Sequence, residues 1–168
     1  ISEVFGGSVT KVTKEDEYWK INFYLIPYLK PATVRHYMPE KEIADYQSAM
    51  EAVIESLDVD FHDRNVFLAH QFLTGALRSE SEEVSVGGLD DISAEIFEGI
   101  DYVALGHIHR PQSVFRETVR YCGTPLKYSF SEAEHKKSVT VVTMKEKGVV
   151  EFKERELIPL GDLRMIKG

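Results

Sequence analysis

The stretch "DYVALGHIHRPQ" ends an apolar run on Gly106 and then places two histidines, His107 and His109, one residue apart. A third histidine, His70, closes a similar run, "VFLAH". Imidazole is a borderline donor that suits manganese, iron or zinc, and either ring nitrogen can bind while an acceptor fixes the other. In an extended segment residues i and i+2 point the same way, about 6.5 to 7 Å apart. Side chains so placed can each reach one ion of a pair held about 3.5 to 4 Å apart, the separation used in hydrolytic two-metal sites. Gly106 would let the backbone turn sharply before the pair. Two readings stand: three ligands at the mouth of one site, or a core histidine followed by two ordinary loop histidines. His36, His62 and His135 fall in loops or at element ends and are read as surface residues.

The elements that would position these residues follow from the apolar pattern. "NVFLAH" and "IDYVALGH" are short, nearly continuous apolar runs, the pattern of strands buried on both faces. Ligands of open α/β sheets collect at the carboxyl ends of such strands, where all three histidines fall. "VFGGSVTKV" and "YWKINFYLIPYL" read as two earlier strands joined through "TKEDE", and the prolines of "PYLKPATVRHYMPE" mark an extended loop. From Glu40 to Leu57, apolar residues recur every three or four positions, which predicts an amphipathic helix. The polar, acidic stretch 71–91 is long for a loop in a compact domain, a length usually tied to function or mobility. "SAEIFEG" predicts a short helix with Ser93 near its N-cap. "QSVFRE", "VRYCGT", "KSVTVVTMK" and "GVVEFKEREL" predict an antiparallel series, the last two joined by the turn "KEKG". The fold class is therefore α/β, a mixed sheet with helices on one face, followed by antiparallel strands.

Composition narrows the function. The chain has 168 residues, 43% hydrophobic and 29% charged, which suits one folded domain or a piece of one. A net charge of −8 argues against tracking nucleic-acid phosphates by a broad basic surface. Phosphate handling would then rest on bound cations or on a local patch, for which Arg110, Arg116, Arg120 and Lys127 are the nearest candidates in sequence. A single cysteine, Cys122, excludes an internal disulfide and suits a reducing, cytoplasmic setting. No apolar run approaches the roughly 20 residues of a membrane span, so no membrane partner is expected. The chain opens on "ISEVFGGS", without methionine or a signal-like pattern, and is read as a piece of something longer.

"DYVALGHIHRPQ" and "VRYCGTPLKYSFSE", with "FLAHQFLTGA" and "LIPYLKPATVRHY" upstream, closely resemble the SbcD-type nuclease subunits of bacteria, from about Phe5 to Gly168. These belong to the calcineurin-like metallophosphoesterases and are similar to the Mre-type DNA repair nucleases. The resemblance implies part of a four-layer α/β/β/α sandwich and a pair of divalent ions, Mn²⁺, held by five motifs. His70 matches the lone histidine after a strand, and Gly106 to His109 match Gly-His-x-His. By that match His70 and His107 would share one ion and His109 would bind the other. The Asp-x-His, Gly-Asp-x-x-Asp and Asn-His-Asp motifs are absent from these residues, so no catalytic acid is assignable. The resemblance thus places residues 1–168 in the later portion of a nuclease domain, without its N-terminal metal motifs and most of its capping region.

The implied activity is hydrolysis of phosphodiesters at DNA ends in repair and recombination, with the ATPase SbcC as partner and a homodimer in the intact protein. The chain alone would be inactive. Arg110 would contact a substrate phosphate or serve as a strand-edge charge; Thr124 would donate to phosphate or close a hairpin turn. Two rival functions remain: a small-molecule phosphodiesterase or nucleotidase of the same superfamily, and a metal-free scaffold. Apolar surface meant to face absent strands would favour self-association of this chain.

Overall fold

The computed structural model describes residues 4–80, 82 and 91–166. Its centre is a six-stranded mixed sheet in the order β1-β2-β3-β6-β8-β7. β1 (Thr10–Asp16) and β2 (Trp19–Leu25) form an antiparallel hairpin at one edge. β3 (Arg64–Ala69) lies parallel to β2, and β6 (Tyr102–Leu105) parallel to β3. β8 (Arg116–Tyr121) lies parallel to β6, while β7 (Gln112–Val114) pairs antiparallel with β8 at the far edge. A two-residue pair, β4 (Phe72–Leu73) with β5 (Asp91–Ile92), is parallel. β9 (Ser138–Met144) and β10 (Val150–Glu156) form a separate antiparallel hairpin.

Strand alternation sorts the sheet's two faces. Tyr24, Phe67, Val103, Val119 and Tyr121 point to one side, where they share a core with Val34, Met50 and Val53 of the two helices. Ile21, Val66 and Tyr102 point to the other, toward Val142, Met144 and Val150 of the β9–β10 hairpin. That second face is only partly covered: an apolar cleft of about 410 Å³ lies between sheet and hairpin, floored by Ile21, Phe23, Leu68 and Ala104. The arrangement is consistent with part of an α/β/β/α sandwich, namely one sheet with its helices and smaller sheets beside it.

Three expectations need correction. The proline-marked loop contains a helix, α1 (Pro31–Tyr37), with Pro31 in its first turn, where a missing N–H leaves no bond unmade and the fixed φ suits the helix. The second helix, α2 (Tyr46–Glu55), starts six residues later than the periodicity predicts. Asp45 caps it by accepting from the Ser48 N–H (2.8 Å), and the Ser48 hydroxyl oxygen accepts in return from the Asp45 N–H (3.0 Å). Finally, the antiparallel series holds for β7 with β8 and for β9 with β10 but is not continuous: β8 inserts between β7 and β6, parallel to β6, where Val119 and Tyr121 extend the helix-side core, and β9–β10 stands apart as its own hairpin. "SAEIFEG" forms a short 3₁₀ turn, Ala94–Phe97, capped by Ser93. Of the acidic stretch, positions 81 and 83–90 lie outside the described residues. No helix among the described residues is long and apolar enough to cross a membrane.

Candidate functional site

Because β2, β3, β6 and β8 run parallel, the segments that follow them leave the sheet at one edge. The ladder continues past the strand ends, with the Gly106 N–H donating to Ala69 O (2.9 Å) and the Ile26 N–H to Leu68 O (2.8 Å). Residues 26–29, 70–71, 106–109 and 122–124 therefore gather at the carboxyl edge, where α/β sheets bind ligands.

His70 and His107 meet there edge to face, their ring centroids 4.9 Å apart at 87°. Tyr28 stacks parallel to His107 (5.9 Å, 3°), and Phe72 meets it edge-on at 3.8 Å. Burial holds the His70 imidazole below its ordinary value, which favours the neutral ring that a metal requires. The close approach depends on Gly106, where a β-carbon would fall 2.7 Å from His70 Nδ1. Gly106 thus gives room to a ring, and the sharp turn expected at the glycine falls instead on His107, with φ of +94°.

That turn breaks the extended geometry assumed for His107 and His109, and the two rings enter different surroundings. His109 lies beside Tyr128 (5.5 Å), with its Nδ1 3.0 Å from Glu132 Oε1. Its backbone N–H donates to Glu82 Oε1 (2.5 Å), and its carbonyl accepts from the Thr124 N–H (3.1 Å) and from Lys137 Nζ (2.9 Å).

A Gly106→Ala change is expected to push the His70 ring off His107 and to cost about 1–3 kcal/mol, the usual penalty of overpacking. Urea denaturation, and the loss of the cross-peak between the two imidazoles in a nuclear Overhauser spectrum, would register both effects. An unchanged cross-peak would contradict the packing role.

The other named residues are placed as follows. Arg110, the residue after His109, is exposed, and its charge helps to hold the half-buried His135 below its ordinary value, after burial and Lys137. The Thr124 hydroxyl donates to Leu126 O (2.8 Å) and accepts from Lys137 Nζ (3.0 Å). The rest of the proposed basic patch is engaged in the fold. Arg116 donates to the Phe97 and Ile100 carbonyls, Arg120 pairs with Glu154 over the Phe152 ring, and Lys127 pairs with Asp162. His135 departs from the surface reading, since its Nδ1 is buried without a hydrogen-bond partner. Tyr28, Glu82, Glu132 and Lys137 were not identified as site residues from sequence, although Glu132 ends the quoted "SFSE".

The donors fit a metal centre in part. Two adjacent imidazoles, one disfavoured from protonation by burial, suit a borderline divalent ion. Among the described residues, however, no three His, Cys, Asp or Glu side chains converge in a group that could hold a metal ion. Any complete coordination sphere needs donors beyond these.

No protein-family profile matches the chain. The chain is similar to the SbcD component of the SbcCD nuclease of Staphylococcus epidermidis, 29% identical over 151 residues that make up 88% of this chain and 40% of that protein. At this identity the similarity is that of a distant homologue, and the mixed sheet with its histidine edge is consistent with such a relationship. The chain thus spans less than half the length of that relative.

Proposed function

We propose that this chain is the histidine-bearing part of an SbcD-type, metal-dependent DNA nuclease. The observation that carries this reading is the His70–His107 ring pair at the carboxyl edge of parallel strands, formed by the two motifs that resemble the family's metal motifs. His70 and His107 would hold one divalent ion and His109 the other, with Mn²⁺ the expected metal. When bound, such a pair supplies Lewis-acid polarisation of a phosphodiester and an activated water. The chain's own residues would orient the donors: Tyr28 and Phe72 hold the His107 ring, and Gly106 admits the His70 ring. Arg110, exposed directly after His109 in the chain, would meet a substrate phosphate. Thr124 could do so only by rotating its hydroxyl away from Leu126.

Cations at this edge would reconcile a chain of net charge −8 with a DNA substrate. An SbcC-like ATPase would be the partner, and a homodimer the assembly of the intact protein. Because no three His, Cys, Asp or Glu side chains among the described residues form a group that could hold a metal ion, the chain alone is expected to leave DNA intact.

The test is Mn²⁺-dependent degradation of linear duplex DNA by the chain alone and by the chain joined to a segment carrying the Asp-x-His, Gly-Asp-x-x-Asp and Asn-His-Asp motifs. Cleavage only by the joined protein is the expected result. If the joined protein folds and binds Mn²⁺ but cleaves cyclic nucleotides and spares DNA, the nuclease reading gives way to a small-molecule phosphodiesterase. A folded joined protein that binds no Mn²⁺ would make this edge a metal-free scaffold.

A further inference from the structure

Behind His109 lies an ion pair that the fold does not obviously need. Glu132 is fully buried, and the Lys137 side chain is 3% exposed. Glu132 Oε2 accepts from Lys137 Nζ at 2.6 Å, while Oε1 faces His109 Nδ1 at 3.0 Å. Lys137 spends its other two N–H bonds on the His109 carbonyl (2.9 Å) and on Thr124 Oγ1 (3.0 Å), so all three donors of the ammonium are engaged. Buried pairs of this kind contribute little net stability and can often be replaced by apolar residues; their best-attested use is to specify one arrangement. Here the two residues reach a single histidine from two sides, one at its ring and one at its backbone.

Glu132 accepts from the Lys137 ammonium through one oxygen, and as the acceptor of the pair it takes a hydrogen bond through the other as well, so the ring nitrogen facing it carries the proton. That fixes the Nδ1–H form and leaves the lone pair of the ring on Nε2. The same loop is held at its far side by Gly123, where a β-carbon would lie 2.8 Å from the His109 carbonyl and 2.7 Å from Pro111 Cδ.

We infer that the Glu132–Lys137 pair is a positioning device that locks His109 in its Nδ1–H tautomer and thereby makes Nε2 the nitrogen presented to a ligand. The use of Nε2 for a divalent ion rests on the function proposed above; the tautomer does not. Neither residue is a catalytic residue in this account, since both act through His109.

Long-range ¹⁵N–¹H correlation spectra of the ¹⁵N-labelled, metal-free chain at about pH 8, where histidine is ordinarily neutral, report the tautomer directly. The wild type is expected to show His109 as Nδ1–H. The double variant Glu132→Ala with Lys137→Met, which removes the pair as a unit and orphans neither charge, is expected to show a tautomer mixture while retaining the fold. An Nε2–H tautomer in the wild type would overturn the inference, as would an unchanged tautomer in a folded double variant. The wild-type spectrum decides the matter even if the double variant does not fold.

Mn²⁺ titration of the same samples separates this inference from the metal reading. Apparent affinity at His109, read by paramagnetic broadening of its ring signals, should fall about 10–100-fold in the double variant, the usual effect of losing a histidine-orienting carboxylate. Broadening at His70 and His107 should persist. A wild-type His109 that is Nδ1–H but untouched by Mn²⁺ would leave the positioning role standing and remove the metal.

Discussion

A His107→Gly variant should resist urea better than His107→Ala, although both would weaken Mn²⁺-dependent DNA cleavage alike once the chain is joined to the segment carrying the other metal motifs. His107 sits at φ of +94°, a conformation that strains any residue with a β-carbon. Strain of this kind costs about 1–3 kcal/mol and is retained where surrounding structure imposes it. Alanine would inherit the strain, whereas glycine would not. Glycine's greater freedom in the unfolded chain takes back about 0.4–1 kcal/mol, so the net advantage over alanine should lie between about 0 and 2.6 kcal/mol, centred on about 1 kcal/mol. Both variants lose the same ring contacts with Tyr28, His70 and Phe72, so their difference isolates the backbone term. Equal urea midpoints would mean that the strain at the turn is no larger than the roughly 0.4–1 kcal/mol that glycine gives back. In the motif-completed protein both should lower cleavage by about 10³-fold. That is the effect of several kcal/mol of metal stabilisation at about 1.36 kcal/mol per decade. Retained cleavage in either would remove His107 from the ligand set.

The second large effect concerns the hairpin on the opposite face. Arg64 opens β3 with 2% of its side chain exposed. Its guanidinium donates to both Asp16 oxygens (2.5 and 3.2 Å), to Trp19 O (2.6 Å), and to the Met144 and Lys145 carbonyls (3.3 and 3.2 Å). One side chain thus ties the β1–β2 turn to the end of β9. Because Asp16 is half exposed and can return to water, the cost of Arg64→Met falls on the Trp19, Met144 and Lys145 carbonyls left without their donor, about 1–3 kcal/mol. Hydrogen exchange should show the loss first in β9 and β10. Uniform loss of protection across the whole sheet would contradict a local clamp.

The clamp should also weaken in acid. Arg64, foremost, holds the Asp16 carboxyl below its ordinary value of 3.8. A depressed carboxylate stabilises fully above the unfolded value and loses that contribution as pH falls through the folded one. The gap between wild type and Arg64→Met should therefore narrow below about pH 4.

These residues also explain what sequence could and could not reveal. β3 and β6 were legible because strands buried on both faces leave continuous apolar runs, and the histidines closing them marked the sheet edge that the fold bears out. α1 was hidden because proline signals a break, yet in a first turn it costs nothing. The charged "TKED" reads as a connection, but it forms most of β1, whose seven residues are all exposed and bear no burial cost for charge. The contacts behind His109 were out of reach for another reason. Glu132 and Lys137 lie 23 and 28 positions away from it, and polar residues in loops carry no periodicity to betray whom they meet. Tyr28 was similarly lost inside an apolar run, where its ring reads as core.

The strand order also bears on how this sheet behaves toward other chains. An open strand edge is a template for pairing with any passing extended segment. At one end β1 presents Lys11, Lys14, Glu15 and Asp16 along a fully exposed strand, and a neutral β-rich segment would have to desolvate that charge in order to add. At the other end β7 is three residues long and shifts register between Ser113 and Val114, too short and bent to seed a ladder. Growth by strand addition is therefore discouraged at both ends, which guards a crowded solution of this chain against fibril-like stacking and leaves the apolar cleft beneath the hairpin as the sheet's more sociable side.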